Sequence, residues 1–137
     1  MLNAVELIGH LGADPEVRTT AAGDTVATLN LATSEKWKDR STGEPRERTE
    51  WHRVVLWAGL ADVAQRYLRK GGRCYVRGQL RTRKWQDQSG NDRWTTEVTV
   101  SGFAGQLILL GDARGSQDGG NAPPAPPPAD LADDIPF

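Results

Sequence analysis

Five tryptophans stand between positions 37 and 94, each close to basic residues, and they concentrate the chemistry of this chain. Read with the period of two that a strand imposes, Trp51-His52-Arg53-Val54-Val55-Leu56-Trp57 puts Trp51, Arg53, Val55 and Trp57 on one face. His52, Val54 and Leu56 fall on the other face as a core row. In Gln79–Trp85, Arg81, Arg83 and Trp85 share a face against Leu80, Thr82 and Lys84. Lys36-Trp37-Lys38 repeats the pairing at the base of a hairpin. A buried core does not accept unpaired arginine beside tryptophan, because desolvating the charge is costly. A free solvent face does not accept several indoles, because exposed apolar patches invite association. A strand of unpaired nucleotides removes both objections: bases stack on the indoles while guanidinium groups meet phosphates. Trp37, Trp51 and Trp85 are therefore expected on the surface and Trp57 between surface and interior. Trp94, with Thr96, Val98 and Val100 as parity mates, is expected in the core or at a subunit interface.

These side chains need strands to hold them, and most of the chain reads as strand. Val5, Leu7 and Leu11 alternate with polar or small residues, with Gly9 as a bulge or point of close approach. Thr25–Ser34, Thr49–Trp57, a long Arg73–Trp85 bent at Gly78, and Arg93–Ser101 follow. Residues 39–45 and 88–92 carry the turn residues of hairpin tips. Leu60, Val63, Ala64, Tyr67 and Leu68 break the pattern with helical spacing, and Gly71-Gly72 ends the helix. Three strands, one helix and two more strands predict an all-β fold with one helix, the five-stranded Greek-key barrel of an OB-fold. An SH3-like barrel or a small sandwich fits the strand count but calls for no helix at that place.

Composition bounds the rest. The chain has 137 residues, 37% hydrophobic and 26% charged, enough for one domain and too few for two. Its longest apolar run is about five residues, against roughly 20 for a membrane span. The N-terminus lacks the basic and apolar regions of a secretory signal, so a cytoplasmic protein is expected. A single cysteine, Cys74, excludes an internal disulfide framework and reads as a small apolar filler. His10 and His52 are not spaced as a metal pair, no glycines form a phosphate loop, and no acid and base are paired. No catalytic residue, metal or cofactor is expected.

The net charge of −1 hides an asymmetry. Residues 1–111 hold 16 Lys and Arg against 13 Asp and Glu, whereas residues 112–137 hold one Arg against five Asp. A basic body with an acidic tail suits nucleic-acid binding by the body. Residues 1–111 are expected to form the barrel. Residues 112–129, with five of the eight prolines, are expected to be a disordered linker. Residues 130–137 end in Asp133-Asp134-Ile135-Pro136-Phe137, an acidic and apolar tip suited to a basic pocket with a hydrophobic floor.

Five segments together carry a specific resemblance: Thr33–Trp37, Thr49–Val55, Tyr67–Gly71, Gly78–Trp85 and the terminal Asp133–Phe137. With the opening Asn3–Arg18, they closely resemble bacterial single-stranded DNA-binding protein. The resemblance implies an OB-fold that assembles as a homotetramer and binds single-stranded DNA without strong sequence preference in replication, recombination and repair. It places the stacking aromatics on Trp37, Trp51, Trp57 and Trp85. It places His52 at a subunit interface, and the basic residues around the indoles, Lys36, Lys38, Arg53, Arg69, Lys70, Arg81, Arg83 and Lys84, are expected to contact phosphates. It makes the tip, Asp133 to Phe137, the recruiter of replication and repair proteins. Trp57 and Trp94 stand where members of the family carry phenylalanine and tyrosine, and the linker is short and poor in glutamine. An assembly protein using its indoles as a protein interface would have no need of that tip. Base stacking alone does not separate a DNA binder from an RNA-binding module.

Overall fold

The computed structural model describes residues 1–112, with side chains to Gly111; the linker and the tip expected from the sequence lie outside the described residues. Its elements are β1 (Val5–Leu11), β2 (Glu16–Thr19), β3 (Thr25–Lys38), β4 (Pro45–Trp57), α1 (Gly59–Tyr67), β5 (Gly72–Gln86), β6 (Asp92–Val100) and β7 (Gln106–Asp112). Five strands run in the order β1-β3-β4-β6-β5, and β5 pairs back onto β1 to close the barrel. Every pairing is antiparallel except β4 with β6, which joins Val54 to Val98 in parallel. This is the expected OB-fold.

The apolar parity rows converge inside the barrel. Leu29 and Leu31 of β3, Val54 and Leu56 of β4, Val76 of β5 and Val100 of β6 are fully buried. Cys74 sits among them, and burial pushes its thiol up to about 11, as befits a packing residue. Helix α1 adds Ala61 and Ala64 to the same cluster. Ala58, before its first turn, has φ 56° and ψ −124°, a region that strains any residue with a Cβ. At its other end Leu68 turns extended, and Arg69 Nη1 donates to the carbonyls of Gln65 and Leu68 at 2.7 and 2.6 Å.

Two glycines act through close approach. A Cβ at Gly9 would collide with the carbonyl of Ala32, where β1 leaves β3. A Cβ at Gly78 would collide with the carbonyl of Thr99, where β5 exchanges its partner β1 for β6. Gly78 is therefore the expected bend.

The structure adds two strands and lengthens two others. β2 pairs with β3, and β7 pairs with the first half of β5. Strands β3 and β4 extend past Ser34 and before Thr49 into a charged arm whose last register pair is Lys38 with Pro45. That arm has no core beneath it, so no apolar alternation marks it in the sequence.

Candidate nucleic-acid interface

The sheet order joins what the sequence shows as two separate faces. Because β6 lies between β4 and β5, the outward row Trp51, Arg53, Val55, Trp57 of β4 adjoins Thr95, Glu97, Thr99 of β6. Arg81, Arg83 and Trp85 of β5 continue it on the far side. Glu97 is the centre. Its side chain is buried, at 7% exposure, and it accepts from Arg53 Nε through Oε2 and from Arg83 Nε through Oε1, both at 3.2 Å. A buried carboxylate is tolerable only with such pairing. The two guanidiniums remain partly exposed on either side of it.

The indoles are fixed by their neighbours. Trp51 is 60% exposed, yet its ring edge rests on the β1–β2 loop: a Cβ built at Gly12 would lie 2.5 Å from its Cζ3 and 2.6 Å from its Cη2. The amide of Gly12 donates to the carbonyl of Asn30 at 2.9 Å, which holds the loop there. A recess of about 460 Å³ opens beside this ring, lined by Gly12, Ala13, Asn30, Trp51, His52 and Arg53. Trp85 donates its Nε1–H to Thr95 Oγ1 across the β5–β6 pair at 2.7 Å. Trp57 is half-buried at the end of β4.

Trp37 has the opposite parity. It falls on the row of Leu29, Leu31 and Thr33, carried past the barrel rim, with the Arg48 guanidinium 5.8 Å from its ring centre. Trp94 occupies the equivalent place on the other arm. Its parity mates Val98 and Val100 are buried, but the strand has left the barrel by Trp94, which is 65% exposed with Lys84 Nζ 5.7 Å from its ring. A core position for Trp94 is thereby corrected: the alternation continues where the core does not.

The basic candidates separate into three groups. Arg53, Arg81 and Arg83 lie on the joined face, and Lys36 and Lys38 extend it along the β3 arm with the parity that pairs Ala32 with Trp51. Lys84 is on the reverse of the β5 arm, 3.3 Å from Asp92. Arg69 caps α1, and the Lys70 amide donates to Asp14 Oδ1 at 2.8 Å, beside the loop that carries Gly12. The structure does not bring Arg69, Lys70 or Lys84 into the Trp51–Trp85 row. His52 is half-buried, its Nε2 2.9 Å from Thr33 Oγ1.

The arms end in turns organised by aspartate. Asp39 Oδ1 accepts from the amides of Ser41 and Thr42. Asp87 Oδ1 accepts from Ser89 and Asn91, and Arg93 donates to its Oδ2. The amide of Asn91, helped by Arg93 and the neighbouring amides, outweighs desolvation and holds the Asp87 carboxyl below its usual range. Gly43 and Gly90 supply the positive φ these turns require.

Sequence reasoning missed Glu97, Gly12 and Thr95. Glu97 had a signal: an acidic residue interrupting the Thr and Val run from Thr95 to Val100, at the parity of Thr95 and Thr99. Gly12 had none, because its neighbour Trp51 is distant in sequence.

A closed OB barrel with a continuous face of indoles and guanidiniums across three strands defines a single-strand-binding type of module. The chain belongs to the Single-strand binding protein family, which it matches over residues 2–106. It is 54% identical over 120 residues to a single-stranded DNA-binding protein of Rhizobium meliloti (strain 1021), covering 87% of this chain and 68% of that one. Among solved structures it is similar to the Plasmodium falciparum SSB complex with single-stranded DNA. That similarity has a TM-score of 0.71 at 43% identity, with 80% of this chain and 96% of the other covered.

Proposed function

We propose that this chain is a non-enzymatic protein that binds single-stranded DNA without strong sequence preference. The observation that carries the reading is the face in which Trp51, Trp57 and Trp85 alternate with Arg53, Arg81 and Arg83 over β4 and β5. Indoles accept any base on their π-faces, so a row built on them discriminates little between sequences. Trp37 joins the stacking set from the reverse face of the β3–β4 arm, while Lys36 and Lys38 meet the backbone on the face of Trp51. The solved relative holds single-stranded DNA and the curated relative is a single-stranded DNA-binding protein, which favours DNA over RNA as the ligand.

The working form is a homotetramer. Two surfaces support this. Among the described residues, the edge of β1 from Val5 to Gly9 meets β5 on one side and no strand on the other, because β1 pairs with β3 only at His10 and Leu11. A groove of about 660 Å³ lies there, and an exposed strand edge is a template for a second copy. In addition Ile8, Tyr75 and Ile108 form one cross-strand row over β1, β5 and β7, with Ile8 and Ile108 about half exposed. Such a face suits packing between dimers, and His52, bonded to Thr33 on the wall of the groove, is the further interface residue.

The protein coats and protects unwound DNA in the cytoplasm, at the nucleoid. Its terminal Asp133-Asp134-Ile135-Pro136-Phe137 recruits replication, recombination and repair enzymes. Titrating intrinsic tryptophan fluorescence with oligo-dT, beside duplex and RNA controls, tests the binding reading. Quenching by the single strand is expected, with loss of affinity in Trp51→Ala and Trp85→Ala variants that still fold. Equal binding to duplex would hand the indoles to a protein interface instead. Deleting Phe137 should leave strand binding intact and abolish capture of partner enzymes.

A further inference from the structure

The charge at the centre of the binding face has the wrong sign for a phosphate ligand. Glu97 is acidic, sits between Arg53 and Arg83, and lies in the row that would meet DNA. If attraction to phosphate were all that mattered, this carboxylate would only weaken binding. Its geometry indicates a different role. It takes one Nε–H from each arginine and is itself almost completely buried, so it offers little surface to repel a ligand. Each guanidinium has five N–H donors. Engagement at Nε leaves the terminal Nη groups of both arginines without a protein partner among the described residues, on side chains that remain 37% and 41% exposed. Two like charges that would otherwise repel are thus anchored to one oxygen pair across three strands. Arginine side chains lose substantial rotamer entropy when they dock, and a side chain already held loses less at the moment of binding.

We propose that Glu97 is a positioning residue for strand binding: its buried carboxylate fixes Arg53 and Arg83 as a paired clamp whose Nη groups receive the DNA backbone phosphate between Trp51 and Trp85. The proposal rests on the single-stranded DNA reading. Its own failure is distinguishable from failure of that reading, since the wild-type protein must first bind oligo-dT.

The experiment measures full-length wild type and Glu97→Gln by oligo-dT titration over a range of salt, with circular dichroism melts and mass measurements as controls for fold and assembly. Glutamine keeps the shape but has one acceptor oxygen, so one arginine is released while the net charge rises by one. Electrostatic attraction alone predicts tighter binding with an equal or steeper salt dependence, and that result overturns the proposal. Positioning predicts about tenfold weaker binding despite the added positive charge, the scale of one lost charge-assisted contact. It also predicts a salt slope shallower by about 0.7, equivalent to one phosphate contact. Unchanged affinity and slope overturn it as well. Should Glu97→Gln fail to fold, Arg53→Lys and Arg83→Lys decide the matter, since both sites are partly exposed and the charge is kept. A lysine that serves Glu97 has no second planar edge for phosphate. Weaker binding at equal charge supports the clamp, and unchanged binding refutes it.

Discussion

Replacing Gly12 by alanine should damage the binding face without damaging the fold. The Gly12 backbone has no positive φ, so alanine meets no conformational penalty there. The added Cβ would instead sit 2.5 Å from Trp51 Cζ3. Carbon atoms rest at about 3.5–4.0 Å, so the indole must retreat by about 1 Å or more. Trp51 is largely exposed and has room to swing, at an off-rotamer cost of about 0.5–1.5 kcal/mol. Barrel stability should therefore fall by no more than about 1.5 kcal/mol, readable in a urea melt. Binding is more sensitive, because a stacked base contributes roughly 1–3 kcal/mol. Losing that stack weakens oligo-dT binding by about 5-fold to 150-fold per site. The assay is a fluorescence titration of wild type, Gly12→Ala, Trp51→Ala and the double variant. With Trp51 already removed, the Gly12 substitution has no ring to displace and should add nothing. An equal loss in both backgrounds would refute the reasoning, and so would full affinity in Gly12→Ala alone.

Ala58→Gly should stabilise the barrel by about 1 kcal/mol, the release of roughly 1–3 kcal/mol of strain less glycine's larger unfolded-state entropy. A thermal melt showing no gain would contradict the strain at φ 56°. Asp87 has a folded pKa below its unfolded value near ~3.9, so its contribution to hairpin order is complete above that value and disappears as pH falls through the lower folded one. Protection of the Ser89 and Asn91 amides, measured against the intrinsic exchange rate at each pH, should fall only in that acidic range, and Asp87→Asn should abolish that fall; a loss of protection beginning near pH ~6 would count against it. Thr95→Val removes the acceptor for the Trp85 indole, whose N–H can turn to water at a cost of about 1 kcal/mol or less. The expected loss of strand affinity is a few-fold and clearly below that of Trp85→Ala, and parity between the two variants would show that the hydrogen bond holds more than the ring's orientation.

The barrel was legible in the sequence because its strands obey the two-residue alternation that burial imposes. Leu29, Leu31, Val54 and Leu56 are core for the reason their spacing suggests, and α1 announced itself by breaking that spacing. The faces of β4 and β5 were legible singly for the same reason. Their union was not, since it depends on β6 entering between strands that precede it, a fact of topology with no local signature. Trp94 marks the limit of parity. The rule gives the face of a strand but not the point at which the strand leaves the barrel. The arms beyond Ser34 and before Thr49 were hidden likewise, because cross-strand hydrogen bonds without a core leave no hydrophobic trace. Gly12 became meaningful only through the indole that lies on it.

The parallel pairing of β4 with β6 also governs when the protein becomes competent. Arg53 and Glu97 are 44 residues apart, with the helix and the whole of β5 between them. Closing so long a loop costs chain entropy before any contact is gained, and contacts of large sequence separation slow folding. During synthesis, a chain that has emerged only as far as β5 already carries Trp51, Trp57 and Trp85, but it has no carboxylate to receive its arginines and no seam between β4 and β5. Insertion of β6 completes the barrel and the face in one event. A half-made chain thus holds the indoles of β4 and β5 without the strand that joins them into one face.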